Sequence, residues 1–466
     1  MPLTLPSTVG ELRGSEYRVR SVREELRDNL VARLRTGEPV FPGLVGYEDS
    51  VLPQVENAIL AGQDLIFLGE RGQAKSRLIR ALSSLLDERI PAISGSEVND
   101  HPYSPISRFG RELLAERGDA TPITWLDRER RFAEKLATPD TSIADLIGEV
   151  DPIKVAEGRY LADEYTIHYG LLPRVNRGIF AVNELPDLAE RIQVGLLNIM
   201  EERDIQIRGF LVRLPLDVLV VATANPEDYT NRGRIITPLK DRFGAQVRTH
   251  YPRTAEQELE IVRQEQTPFQ GLPVELHLPQ YMREVVAEIS QLARRNPQVN
   301  QRSGVSVRLS IANQESLCAN AVRRAILLQE PVAVPRISDL GALAASTTGK
   351  LELETWEEGE DSQLLSKLAR SAVQSVFRRH FSLAEFAPLL ALFEQGLTVE
   401  VGEMLASATY AAAAAQIPDT PRILADLDEP REPAAVAAAL ELVLEGLHLA
   451  KRLNKTTVDG TAVYNG

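Results

Sequence analysis

The segment Asp64-Leu65-Ile66-Phe67-Leu68-Gly69-Glu70-Arg71-Gly72-Gln73-Ala74-Lys75-Ser76 constrains the fold more than any other part of the chain. A short apolar run ends in a loop with two glycines. A Lys-Ser pair follows, and Leu78, Ile79, Leu82, Leu85 and Leu86 then fall at helical spacing. Strand, Gly-containing loop and helix in that order form the setting of a phosphate-binding P-loop. Gly69, Glu70, Arg71, Gly72, Gln73, Ala74, Lys75, Ser76 and Arg77 would line phosphates with backbone N–H groups and a helix N-terminus. Lys75 would add a point charge and Ser76 a hydroxyl for Mg²⁺. The usual pattern has Gly directly before the Lys. Here Ala74 stands there, a variant that is tolerated if its φ is negative. The bland alternative is a Gly-rich turn that binds nothing.

Composition bounds the class. At 466 residues, a prior of about 150 residues per domain gives about three domains. Hydrophobic content of 44% and charged content of 25% suit a globular chain. No apolar run reaches the length of a membrane span, and the first residues lack the charged and apolar regions of a secretion signal. The expectation is a cytoplasmic protein with no membrane contact. Cys318 is the only cysteine, which excludes internal disulfides and Cys-rich metal sites. The net charge of −14 argues against broad nucleic-acid binding.

Four blocks are expected. Residues 1–42 read as an amphipathic lead-in helix through Leu12, Val19, Val22, Leu26 and Leu30. Residues 43–251 alternate strand-like runs (65–68, 179–182, 218–222 and 245–247) with helices, which implies an α/β domain with a mostly parallel sheet. After Pro252 the strands stop. Residues 252–350 read as a small helical lid domain. It opens on a Thr254/Gln257 capping box and carries an apolar stripe at Met282, Val285, Val286, Ile289, Leu292 and Ala293. Residues 351–466 follow an acidic run (352–361) and read as a helical region with Val436, Leu440, Val443, Leu444 and Leu447 on one face. The stretch 94–141 has no clear pattern; Phe109 and Trp125 there read as packing residues.

A second signal is Gly178-Ile179-Phe180-Ala181-Val182-Asn183-Glu184, a buried-strand pattern ending in a polar pair. P-loop ATPases normally hold Asp-Glu at this place: the Asp steadies the Mg²⁺ shell, and the Glu orients or deprotonates the attacking water. Glu184 is present, and Asn183 replaces the Asp. Further on, Ala222-Thr223-Ala224-Asn225-Pro226 ends another strand, and Leu239-Lys240-Asp241-Arg242-Phe243-Gly244 precedes a last one.

These segments resemble the AAA+ ATPases, in particular the magnesium-chelatase ATPase subunit and MoxR-type clade. The resemblance covers about residues 41–325 and implies an α/β P-loop NTPase core with a parallel sheet, followed by a small helical lid. Phe41-Pro42-Gly43-Leu44-Val45-Gly46-Tyr47 resembles the clade's opening motif, which implies that Gly46 and Tyr47 lie on the adenine side. Leu171-Leu172-Pro173-Arg174-Val175-Asn176-Arg177-Gly178 resembles its approach to the strand carrying Asn183 and Glu184. By the same resemblance Asn225 is the sensor that positions the lytic water, and Arg242 is the arginine finger acting on a neighbour's nucleotide. Such a finger can be worth about 10³–10⁵ in rate. Arg232 and Arg234 compete for that role. Arg308 fits a second sensor at the start of a lid helix, with Arg302 nearby. Residues 149–168 and the segment around Arg208-Gly209-Phe210-Leu211-Val212-Arg213 match places where the clade carries hairpins that touch a substrate or partner. An ordinary surface hairpin is the equal alternative.

The implied function is an ATP- and Mg²⁺-dependent motor working as a homo-oligomeric, hexameric ring. It would remodel a partner protein or assist metal-cofactor insertion, acting with a von Willebrand A-domain or other protein on a separate chain. A nucleotide-gated scaffold with little turnover is the alternative, and a DNA-associated motor ranks below it. Asn183 bears on the choice. Charges of +2 and −1 some 5 Å apart attract by about 6–7 kcal/mol at an effective dielectric of 20, before desolvation. Asn forgoes that term, so hydrolysis is expected to persist but to be slow, and Asn183→Asp to be faster.

Overall fold

The computed structural model describes residues 5–151, 153, 164–206, 213–225, 233–300, 303–353, 360–458 and 461–466. It divides into two compact units, Met1–His250 and Tyr251–Gly466.

Five strands form the central sheet of the first unit: β1 (Leu65–Leu68), β2 (Phe132–Leu136), β3 (Gly178–Asn183), β4 (Val218–Ala224) and β5 (Ala245–Arg248). Their order is β5-β1-β4-β3-β2, and every pairing is parallel. Every residue of β3 and β4 is buried, as expected of strands covered on both faces. Alternation then divides the strand side chains between two cores. Leu65, Phe67, Ile179, Ala181, Leu219, Val221 and Val247 meet α2 (Val22–Thr36), α3 (Val51–Leu60) and α4 (Lys75–Leu82). Ile66, Phe180, Val182, Val218, Val220 and Ala222 face the opposite side, against the helix Glu190–Glu202. β2 completes the sheet from within the stretch that had no sequence pattern. Its Glu134 and Lys135 interrupt the apolar run, and Leu136 at its end is 58% exposed, as an edge strand allows.

The lead-in is two helices rather than one, α1 (Val9–Arg13) and α2, and Val19 between them is exposed. α2 begins with a full capping box, Ser21 with Glu24. It is part of the first unit: Val22, Leu26 and Leu30 enter the sheet's core, and its buried Glu25 pairs with buried Arg131 at 2.6 and 2.7 Å. Trp125 and Phe109 are half-buried, and the Trp125 indole donates to the Pro6 carbonyl at 2.8 Å.

In the second unit, residues 252–350 and the segment beyond them share one apolar core, running from Tyr281 to Tyr464. The stripe on the helix Gln280–Arg295 is buried, Leu292 partly so. Thr254 caps the helix Ala255–Glu265 as expected, but Gln257 turns back to the Arg253 N–H at 2.9 Å instead of closing the box on Thr254. The helix Pro433–Leu449 is buried all round from Ala434 to Leu447 rather than on one face. Strands do not stop at Pro252. Glu275–Leu276 pairs with Val332–Ala333, and Val399–Gly402, Thr461–Asn465 and Asn454–Val458 form an antiparallel sheet. The acidic run lies largely outside the described residues. Among the described residues, no helix is long and apolar enough to cross a membrane.

Candidate functional site at the carboxyl edge of the sheet

The loop between β1 and α4 is shaped by backbone requirements that the sequence only partly meets. Gly69 is obligatory: a Cβ there would lie 2.0 Å from Thr249 Oγ1 and 2.2 Å from Gln73 Oε1. Gln73 is buried and acts as the loop's internal brace, its Oε1 accepting from the Glu70 N–H at 3.0 Å and from the Thr249 hydroxyl at 2.8 Å. Gly72 has φ +74° and Ala74 has φ +51°. The condition under which Ala74 was to be harmless is therefore not met. Its backbone is left-handed, a conformation that costs an L-residue about 1–2 kcal/mol and that glycine adopts freely. Left-handed residues thus flank Gln73 on both sides, and α4 then starts at Lys75 without a side-chain cap. Ser76 and Arg77 are exposed on its first turn, Arg71 is exposed on the loop, and Glu70 is half-buried.

Lys75 is buried and its ammonium donates to the Gly69 carbonyl, to the Glu70 carbonyl at 2.8 Å and to Asn225 Oδ1. Asn225 follows β4, and its Nδ2 donates to Glu184 Oε2 at 2.7 Å. The three residues thus form one bonded series from the start of α4 to the ends of β4 and β3. Glu184 has φ +57°, a strained conformation for a non-glycine residue, and its N–H is held by Thr223 Oγ1 at 3.0 Å. Thr223 stood unassigned in the sequence motif; its place one strand away from Glu184 is visible only once β3 and β4 are in register.

Asn183, the last residue of β3, is buried. It donates through Nδ2 to Glu134 Oε1, and its Oδ1 lies 3.4 Å from the Thr223 hydroxyl. Arg80 grips Glu134 with both carboxylate oxygens engaged, at 2.7 and 3.1 Å. Glu134 had no sequence signal because β2 itself had none, and nothing on the expected helix marked Arg80 until its partner was placed.

Tyr47 is buried, and its hydroxyl lies 2.8 Å from the Gln73 carbonyl and 2.9 Å from that of His250, sharing one proton between them. Burial raises its pKa. Gly46 beside it has φ +81°. Arg242 ends the helix Thr237–Arg242, with its side chain 45% exposed and paired to Glu201. Arg234 is exposed, while Arg232 and Arg302 lie outside the described residues. Arg308 is exposed at the first position of the helix Arg308–Leu328 of the second unit. Of the expected hairpins, Gly148–Val150 pairs antiparallel with Ile167–Tyr169, and Asp204–Gln206 with Arg213–Pro215. Nearly all of each connecting segment is outside the described residues.

The donors present suit Mg²⁺ carried by a nucleotide: Ser76, Asn183 and Glu134 offer oxygen only, and Mg²⁺ is commonly held by phosphates, water and one or two protein oxygens. Among the described residues no group of three His, Cys, Asp or Glu could hold a metal unaided.

No family model matches the chain. It is homologous to ATPase subunits of magnesium chelatase. The 38 kDa subunit of Rhodobacter capsulatus is 28% identical over 244 residues, covering 49% of this chain and 61% of that protein. Subunit ChlI of Guillardia theta is 30% identical over 235 residues, covering 48% and 62%. The match therefore spans about three-fifths of the length of these relatives. Among solved structures, a cryo-EM-based model of the complex between subunits BchI and BchD of magnesium chelatase aligns over 72% of this chain and 96% of that one, at 22% identity and a TM-score of 0.36. A superposition this loose adds nothing further. The parallel five-stranded sheet, the P-loop at its carboxyl edge and these relatives together define a AAA+ P-loop NTPase fold.

Proposed function

We propose that this chain, a homologue of the magnesium-chelatase ATPase subunits, binds ATP with Mg²⁺ on the loop 69–77 and hydrolyses it as a AAA+ ring motor. The motor acts on a partner protein or in metal-cofactor insertion. One observation carries the reading: the bonded series Lys75–Asn225–Glu184 joins the phosphate-loop lysine to the carboxylate at the end of β3. Lys75 and the loop N–H groups would hold the phosphates, Glu184 would take the proton of the attacking water, and Asn225 would fix that water. Mg²⁺ would neutralise developing phosphate charge, held on the protein side by Ser76 and Asn183. Gly46 and Tyr47 would border the base.

Hydrolysis in a ring follows from Arg242. Its pair with Glu201 is half-exposed, and such pairs are worth about 0–1 kcal/mol, so the guanidinium is cheaply released to a neighbour's nucleotide. A closed homo-oligomer, hexameric in this reading, supplies that neighbour. Arg308 serves as the second sensor from the lid. The partner is a von Willebrand A-domain or other protein on a separate chain.

Glu184→Gln tests the reading. ATP binding is expected to remain while phosphate release falls by about 100-fold or more. Unchanged turnover in that variant removes Glu184 from the chemistry. Stoichiometric ATP binding by the unaltered chain with no phosphate release selects the nucleotide-gated scaffold instead. Salt-sensitive DNA binding revives the DNA-associated motor.

A further inference from the structure

An asparagine at position 183 has a weakness that an aspartate does not. Its Oδ1 accepts hydrogen bonds and its Nδ2 only donates, whereas metal-bound water is a donor and can use Oδ1 alone. An amide free to turn over presents the wrong end part of the time. In this chain the turn is blocked. Glu134 is in register with Ala181 of β3, and so lies on the same face of the sheet as Asn183. Its carboxylate can only accept, and it takes the Asn183 Nδ2. Asn183 Oδ1 is left on the side of Thr223.

The same carboxylate is anchored to α4. Arg80, which holds Glu134 through Nε and Nη2, stands four residues after Ser76 and therefore on the same side of that helix. The Glu134 side chain is consequently held between Asn183 at the end of β3 and the flank of α4 that presents Ser76, and is 19% exposed. A solvated surface glutamate has no reason to be clasped from both sides in this way.

We propose that Glu134 is the positioning residue of this site. It fixes the Asn183 amide with Oδ1 available to the Mg²⁺ that accompanies the nucleotide, its own charge being balanced by Arg80. The inference rests on the nucleotide-binding reading above. The acceptor is thus supplied by β3 and its orientation by β2. Asn183→Asp alone then sets two carboxylates against each other, and the gain expected from the sequence does not follow.

The test is a two-residue cycle on the full chain: unaltered protein, Glu134→Gln, Asn183→Asp and the double variant. A fluorescent ADP analogue is titrated with Mg²⁺ and again with EDTA. Each single variant is expected to lose about tenfold or more of the tightening that Mg²⁺ gives, the usual loss when a residue behind a metal ligand is altered. Binding in EDTA stays unchanged. In the double variant the new amide at position 134 can donate to the new carboxylate at position 183. Its Mg²⁺ dependence is expected to recover to within about threefold of the unaltered chain, a rescue that a merely structural pair would not produce. Absence of nucleotide binding by the unaltered chain overturns the functional reading. Binding with the same Mg²⁺ dependence in all four proteins, or a gain in Asn183→Asp that is independent of residue 134, overturns the role of Glu134 alone.

Discussion

Ala74 places a measurable strain in the loop between β1 and α4, and its size can be worked from the backbone. At φ +51° and ψ 19° the residue is left-handed, and it is exposed, so backbone strain dominates the effect of replacing it. Relief of the left-handed conformation in Ala74→Gly is worth about 1–2 kcal/mol. The added freedom of glycine in the unfolded chain takes back about 0.4–1 kcal/mol. The first unit should therefore gain about 0–1.6 kcal/mol, centred on about 0.8 kcal/mol. Ala74→Val runs the other way, because a β-branched side chain at positive φ is more crowded still, and should cost about 1 kcal/mol or more. The chain has two tryptophans, Trp125 and Trp356. In a Trp356→Phe background, urea unfolding followed by fluorescence reports the first unit through Trp125 alone. Stability in the order Gly, Ala, Val from highest to lowest supports the strain. A valine variant as stable as the parent, with glycine below both, would refute it, since only the unfolded-state term would then be present.

Two further outcomes are expected. Tyr47→Phe keeps the ring but leaves the Gln73 and His250 carbonyls without their shared proton, and should destabilise the first unit by about 1–2 kcal/mol in the same urea assay; no change would mean that water replaces the hydroxyl. Burial, aided by the nearby Arg177 charge, lowers the His101 pKa to about 4, and its Nε2 is buried without a hydrogen-bond partner. The folded state thus resists a proton that the unfolded chain accepts near pH 6.5, so this residue's contribution is intact above that value and is lost as pH falls towards 4, by up to about 3 kcal/mol. His101→Gln should flatten that part of the stability–pH curve, and parallel curves for the two proteins would show that the ring titrates normally.

The parts of the fold that were legible in the sequence are those written in contiguous residues. Buried strands of a parallel sheet are unbroken apolar runs, so β1, β3 and β4 stood out, and the residues at or just past their ends, Gly69, Glu184 and Asn225, came with them, while β5, half polar at the sheet's other edge, was legible only as the short run 245–247. β2 did not, since an edge strand can carry Glu134 and Lys135 without penalty, and with it the clasp on Asn183 stayed hidden. The sign of φ at Ala74 was beyond reach for a different reason: the loop's path is set by Gln73 and Thr249, residues 176 positions apart. In the second unit, the antiparallel strands near the end read as helical context because Ala-rich helices surround them, although Asp459-Gly460 between Asn454–Val458 and Thr461–Asn465 is a hairpin signal. Arg308 was placed correctly at a helix start.

The Tyr47 hydroxyl has a consequence for motion. It ties the Gln73 carbonyl, inside the phosphate loop, to the carbonyl of His250, the last residue of the first unit. The peptide that carries the chain out of that unit is thereby moored to the loop by one phenolic oxygen, with Ser50 holding the His250 ring at 2.8 Å from the other side. Moving the Gln73 carbonyl away from the end of the unit would have to break a hydrogen bond to that phenol, worth about 1 kcal/mol.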